Sequence, residues 1–203
     1  MKSKHRFIGA FATLACAIAT GSVFAAAAGQ PAPDFTLTDT HGKAVHLSDY
    51  RGKYVVLEWT NPECPFVQRH YNTRNMPGLQ KEWGARDVTW LSIDSSNRDS
   101  RDFKTAAQLN TWMSAHEASQ KAVLIDSDSA TARLYAAKTT PHMFVINPEG
   151  RIVYAGAIDD KPRASADETR TAKNYVRTAL TAATGGVAVE PANTTPYGCS
   201  IAY

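Results

Sequence analysis

The 203-residue sequence predicts an α/β fold, a central mixed sheet flanked by helices, on three observations. Apolar runs of strand-forming residues alternate with segments of helical spacing from Tyr54 onward. One such run ends in the turn-rich Thr60-Asn61-Pro62-Glu63 and delivers Cys64-Pro65 to the start of an amphipathic segment. Near the end, two runs separated by Pro148-Glu149-Gly150 are followed by one more helix. This order implies parallel strands in the middle of the sheet. Reactive groups are then expected at the carboxyl ends of those strands, where Cys64 falls.

The elements follow in chain order. Residues 1–28 read as a secretory signal: Lys2, Lys4, His5 and Arg6, then a largely apolar Phe7–Phe24, then small residues at Ala25–Ala28. The apolar run is a weak candidate for a membrane anchor, being rich in Ala, Gly, Ser and Thr, so no stable membrane association is expected. Thr13-Leu14-Ala15 before Cys16 departs from a lipid-attachment box, which would place Leu first. Phe35 and Leu37, then Val45 and Leu47, alternate with polar residues around His41-Gly42-Lys43, an N-terminal β-hairpin. Ser48–Gly52 is a turn. The strand containing Val55–Trp59 leads to Cys64 and a short helix to about Tyr71. A second helix over 72–83 carries Met76, Leu79, Gln80 and Trp83 on one side.

Val88–Asp94 is a buried strand, and the polar loop 95–100 supplies a cap for the next helix. That helix carries Phe103, Ala106, Leu109, Trp112, Met113 and His116 at helical spacing. Val123–Asp126 is a strand, and 129–137 a helix anchored by Leu134 and Tyr135. Thr139-Thr140-Pro141 breaks the pattern before strands at 142–147 and 151–158. Residues 159–166 form a loop, 167–184 the last helix, and Gly185-Gly186 its stop. The domain therefore spans 29–186, and 187–203 reads as a loosely structured polar tail.

Without residues 1–28 the chain has nineteen basic and nineteen acidic side chains, so the net basicity of the full sequence belongs to the signal and argues for no nucleic-acid partner. About 175 residues make one domain with a real core. Two cysteines remain, Cys64 and Cys199. In an exported chain such a pair suggests a disulfide, permanent or cycling. Reach does not decide between these: fifteen residues beyond Thr184 extend roughly 50 Å, against a domain about 40 Å across. Pro65 suits the first helical turn, where its missing N–H costs nothing. Unpaired amides and the helix dipole at that turn favour a thiolate, the setting of a reactive, partly exposed cysteine. The competing reading is a small buried apolar side chain.

APDFTLTD at 32–39, LSDYRGKYVVLEW at 47–59, Cys64-Pro65 and TTPHMFVINPEGRIVYAGAIDD at 139–160 together resemble the thioredoxin-fold redoxins, specifically the peroxiredoxin-related alkyl-hydroperoxide-reductase and thiol-specific-antioxidant branch. The resemblance implies a thioredoxin-like fold over residues 31–184 and a cis bond at Thr140-Pro141. Thr140 and Pro141 would then face Cys64 and help dock the substrate, with Asn61 and Trp59 beside it. Two departures stand out. The second cysteine of a Cys-x-x-Cys motif is Val67 here, and Pro141-His142 stand where typical peroxiredoxins carry an Arg. The resemblance thus implies Cys64 as nucleophile and Cys199 as candidate resolving thiol. The substrate is a hydroperoxide or a protein disulfide, the reductant an external thiol protein, and no cofactor is needed. Glu58, six residues before Cys64, matches the buried acid of thioredoxins and would serve as general base; otherwise it is an exposed or Arg-paired carboxylate. His70 and His142, with Arg69 and Arg74, are further candidates near the thiol. Two other classes stay open: a copper-binding module using Cys64, Cys199 and His142, and an envelope binding domain stapled by its disulfide. The expected address is periplasmic or secreted.

Overall fold

The structure, a computed structural model, describes residues 26–203, so the expectations on residues 1–25 lie outside the described residues. Among the described residues nine strands form: β1 Thr36–Asp39, β2 Ala44–His46, β3 Val55–Trp59, β4 Thr89–Asp94, β5 Ala122–Ile125, β6 Thr139–Thr140, β7 His142–Ile146, β8 Ile152–Gly156 and β9 Cys199–Ser200. Six α-helices accompany them there, besides a 3-10 turn at Leu47–Tyr50: α1 Pro65–Asn72, α2 Asn75–Gly84, α3 Ala106–Ala115, α4 Ala130–Tyr135, α5 Ala166–Thr171 and α6 Tyr175–Thr184.

Seven strands make one sheet in the order β2-β1-β5-β4-β3-β7-β8. The central β3, β4 and β5 run parallel, with β7 antiparallel to β3 and β8 antiparallel to β7. β1 and β2 form the expected hairpin, and β1 joins the sheet against β5. Because strand side chains alternate between faces, β3 divides its residues between two cores. Val56 packs with Val67, Tyr71, Trp83 and Trp90 on one side. Leu57 and Trp59 pack with Tyr135, Phe144 and Ile146 on the other.

Local chemistry sets the helix boundaries. Cys64 is the extended N-cap of α1 and Pro65 its first residue. Arg74, in the left-handed region at φ 59, separates α1 from α2. Thr105 and Gln108 form a capping box that starts α3; Phe103 therefore precedes the helix rather than riding on it. Leu134 is exposed, so of the two expected anchors only Tyr135 is buried, with Thr131 and Ala132 buried beside it on α4. The single helix expected over 167–184 is two. A Ser165–Glu168 capping box starts α5, and Asn174, whose side chain accepts from the Arg177 amide, starts α6.

The tail departs most from expectation. Residues 192–194 run along β8, with the Ala155 amide donating to Ala192 and the Thr194 amide to Ala155, both at 3.0 Å. β9 then pairs antiparallel with β6, setting Cys199 opposite Thr140. The tail is docked structure, because its backbone groups find partners on the sheet and on the loop before β7.

Candidate active site

Cys64 sits where the carboxyl end of β3 turns into α1, and the turn is built by its own residues. The Asn61 side-chain oxygen accepts from the Glu63 amide at 2.7 Å, and the Cys64 amide donates to the Asn61 carbonyl at 3.0 Å. The Asn61 amide group donates to Ser96 Oγ at 3.0 Å, tying this turn to the loop after β4. The Cys64 thiol donates to the Thr140 carbonyl at 2.9 Å. Thr140-Pro141 is a cis bond. Cys64 is only 2% exposed, which corrects the expectation of a partly exposed thiol. The tail covers it.

Both cysteines are free thiols on one pocket, Cys64 bonded to the Thr140 carbonyl and Cys199 paired in register with Thr140. Burial, then the neighbouring Cys64, push the Cys199 thiol up to about 12, so Cys199 holds its proton at neutral pH. An open-sided pocket of about 100 Å³ is lined by both cysteines together with Asn61, Ser96, Asp102 and the tail residues Ser200 to Ala202. Cys64, Cys199, Thr140 and Asn61 thus converge, with Pro141 attached through Thr140.

Other candidates fall elsewhere. Trp59 is fully buried in the core on the opposite face of the sheet, so it presents no surface to a substrate. Its indole donates to Ser95 Oγ at 3.1 Å, and Ser95 Oγ donates to Asp126 at 2.6 Å, which braces the pocket loop from behind. His142 lies on that same far face, paired with Trp59 in register and stacked on Phe144, while its Nδ1 accepts from the Lys138 amide. The copper set of Cys64, Cys199 and His142 is therefore split across the sheet. Arg69 donates to the Pro162 and Ala164 carbonyls, and Arg74 pairs with Glu117, so neither is engaged with the thiol.

Glu58 is on the Cys64 face and fully buried, neither exposed nor paired with an arginine. Four donors surround its carboxylate: Tyr71 Oη at 2.9 Å, Trp90 Nε1 at 2.7 Å, Ser92 Oγ at 3.1 Å and Gln80 Nε2 at 3.2 Å. Burial raises its pKa, and those hydrogen bonds oppose the rise. These donors, not Cys64, occupy its oxygens, so proton exchange with the thiol needs an intermediary.

Two groups near the site escaped the sequence reading. Asp94 ends β4 beside the pocket loop, and burial pushes its pKa up to about 6. Tyr197 donates from its hydroxyl to Asp159 at 2.5 Å and accepts from Arg69 at 3.2 Å, with His70 Nε2 at 3.1 Å. Burial and the Arg69 charge hold the His70 pKa down at about 3, so that ring is neutral. An aromatic residue two positions before Cys199, in an otherwise polar tail, was the one available signal for Tyr197.

Comparison with known proteins adds to this geometry. Residues 28–155 match the family described as AhpC/TSA. The chain is 28% identical over 170 residues to thiol-disulfide oxidoreductase ResA of Bacillus subtilis, covering 75% of this chain and 86% of that protein. An uncharacterized conserved protein from Geobacillus kaustophilus superposes with TM-score 0.75 at 23% identity, over 87% of this chain and 92% of the other. The thioredoxin domain of a thiol-disulfide oxidoreductase from Bacteroides vulgatus superposes at 0.51 with 22% identity, over 64% and 87%. These two superpositions support the fold, which is thioredoxin-like.

Proposed function

From the premise that this chain belongs to the AhpC/TSA family, we propose that it is an exported thiol-dependent oxidoreductase in which Cys64 is the nucleophile and Cys199 the resolving thiol. The observation that carries this reading is the pair of free cysteines lining one pocket, both against Thr140. Cys199 keeps its proton at neutral pH, so the attacking role falls to Cys64.

With a hydroperoxide, the Cys64 thiolate attacks the terminal oxygen, the O–O bond breaks and an alcohol or water leaves, giving a sulfenic acid. The Cys199 thiol then displaces hydroxide from the Cys64 sulfur. Its proton leaves with that hydroxide as water, and a Cys64–Cys199 disulfide forms. An external dithiol protein restores both thiols and is itself oxidised to a disulfide. Thr140 holds the thiol in place through its carbonyl, and Asn61 fixes the turn that carries it.

A second reading is favoured by the ResA relative and by Pro141-His142 in place of an arginine. Here Cys64 attacks a protein disulfide and expels one thiolate. Cys199 then attacks the mixed disulfide at Cys64 and releases the second thiol, ending in the same internal bond.

One experiment separates the two. Reduced protein is mixed rapidly with hydrogen peroxide or with an oxidised dithiol protein and followed by intact mass. Fast loss of two hydrogens with peroxide, and a sulfenic acid that persists in Cys199→Ser, supports the first reading. Fast exchange with the protein disulfide alone supports the second. Inert thiols with both reagents refute the oxidoreductase assignment and leave a stapled binding domain.

A further inference from the structure

Beyond the chemistry of the two sulfurs, the tail has an architecture of its own. It is fastened in three successive places. At residues 192–194 it joins the edge of β8, where a side chain on Gly156 would strike Thr194 within 2.2 Å. At Tyr197 its phenol enters a polar nest of Asp159, Arg69 and His70, with the ring against Phe66. At β9 it pairs with β6, and the Ile201 amide donates to the Lys138 carbonyl at 3.1 Å. Gly198 makes the crossing between the last two possible. It takes φ +148, and a Cβ there would lie 2.0 Å from the Thr140 carbonyl oxygen. The segment between the Tyr197 and β9 fastenings passes over Cys64.

The three fastenings differ in kind. The third is a backbone pairing, and the first adds to its backbone pairing the Thr194 hydroxyl, which bonds Tyr154 Oη and accepts from the Ala157 amide. The middle one depends on a single hydroxyl meeting a buried carboxylate. The nest itself is fixed by the domain: Asp159 Oδ1 also accepts from the Lys161 amide, Arg69 donates to the Pro162 and Ala164 carbonyls, and His70 Nδ1 bonds Asn75, so Tyr197 docks into a preformed site.

We propose that Tyr197 is a specificity-determining residue: by pinning the tail over Cys64 it sets the size of the oxidant that reaches the thiol. With the tail pinned, Cys64 is approached only through the pocket, which accepts a hydroperoxide-sized molecule. A disulfide on a folded protein cannot bring its sulfur into line with a thiol that is 2% exposed. Tyr197 acts on access, not on bond making. The inference rests on Cys64 being the nucleophile and narrows its substrates to small oxidants.

The test measures access by size, separately from redox activity. The protein is prepared with Cys199→Ser, and labelling of Cys64 is assigned by peptide mass mapping. N-ethylmaleimide is compared with the same maleimide carried on a polyethylene glycol chain. Tyr197→Phe keeps the ring but removes the hydroxyl. It should raise the rate with the large reagent about tenfold, the scale of one lost hydrogen bond to a charged group. The rate with the small reagent should change less than about twofold, since its path is already open. Asp159→Asn removes the acceptor charge while leaving the tyrosine, and should shift the ratio in the same direction. This second variant decides the matter should Tyr197→Phe fail to fold by circular dichroism. An unchanged ratio, or an equal rise with both reagents, overturns the proposal. Peroxide consumption by the unmodified protein is read in parallel, so a failure of the parent reading is seen separately from a failure of the latch.

Discussion

Asp94 gives the most quantitative expectation. It ends β4 at 3% exposure; its Oδ1 accepts from the Ser96 amide at 2.9 Å, and its Oδ2 has no partner. Burial, opposed by Ser96 and by the charge of Lys104, moves its pKa from 3.8 to about 6. The folded state therefore binds this proton more tightly than the unfolded chain. Its contribution is fully present below the unfolded value and is lost as pH rises through about 6. A displacement of that size corresponds to about 3 kcal/mol. Asp94→Asn keeps an acceptor for Ser96 and never buries a charge. From pH 4 to pH 7.5 the stability of the variant relative to the parent should thus rise by about 2–3 kcal/mol, measured by urea unfolding at both pH values. Glu58 and Asp159 also have raised pKa values, but they are common to both proteins and drop out of the difference; Asp126, the smallest cause of the Asp94 shift, couples to it only weakly. A difference constant to within about 0.5 kcal/mol across this range would refute the reasoning.

Other expectations follow from single contacts. Glu58→Leu leaves Trp90 Nε1 and Tyr71 Oη without their buried acceptor; it should cost about 2–5 kcal/mol in urea unfolding, and a loss below about 1 kcal/mol would show that the network relaxes. Gly198→Ala forces the tail off the Thr140 carbonyl and parts the two sulfurs. Closure of the Cys64–Cys199 disulfide after peroxide should slow about 100-fold, with sulfenic acid accumulating; closure at the parent rate would count against the site. Cys199, with its thiol pushed up to about 12, should react with N-ethylmaleimide at a rate still climbing at pH 10, whereas a plateau by pH 9 would contradict the burial argument.

Much of the site was legible because its determinants are local. A strand ending in turn residues, then Cys64 and Pro65, specifies a thiol at a helix N-cap in four or five residues, and Thr140-Pro141 reads as its facing loop. The break at 172–174 escaped for a local reason as well: the apolar spacing of 167–184 suits one helix, and Asn174 shows its role only when seen capping α6. What could not be read is nonlocal. Tyr197 is held by residues 38 to 128 positions away, and the docking of β9 depends on Thr140, 59 positions earlier than Cys199. A polar composition speaks of solvation and is silent on whether backbone groups find a sheet edge. The same blindness hid the burial of Cys64, since what buries it is the tail. Trp59 and His142 were misplaced by one step of strand alternation, which moves a side chain to the other face of the sheet.

The way residues 192–194 lie along β8 also bears on self-association. β8 is the last strand of the seven-stranded sheet, and its outer rim would otherwise offer unpaired amides and carbonyls to any extended chain. Two segments share the work of closing it. The Gly29 amide and the Gln30 carbonyl bond to Ile152, residues 192 and 194 bond to Ala155, and the Ala28 amide donates to the Asn193 side chain, lacing the two together. The opposite rim, β2, is only three residues long, and one of the three, His46, is polar. A chain clipped ahead of residue 192 would lose more than its second thiol: it would bare a pairing edge and invite edge-to-edge association between copies.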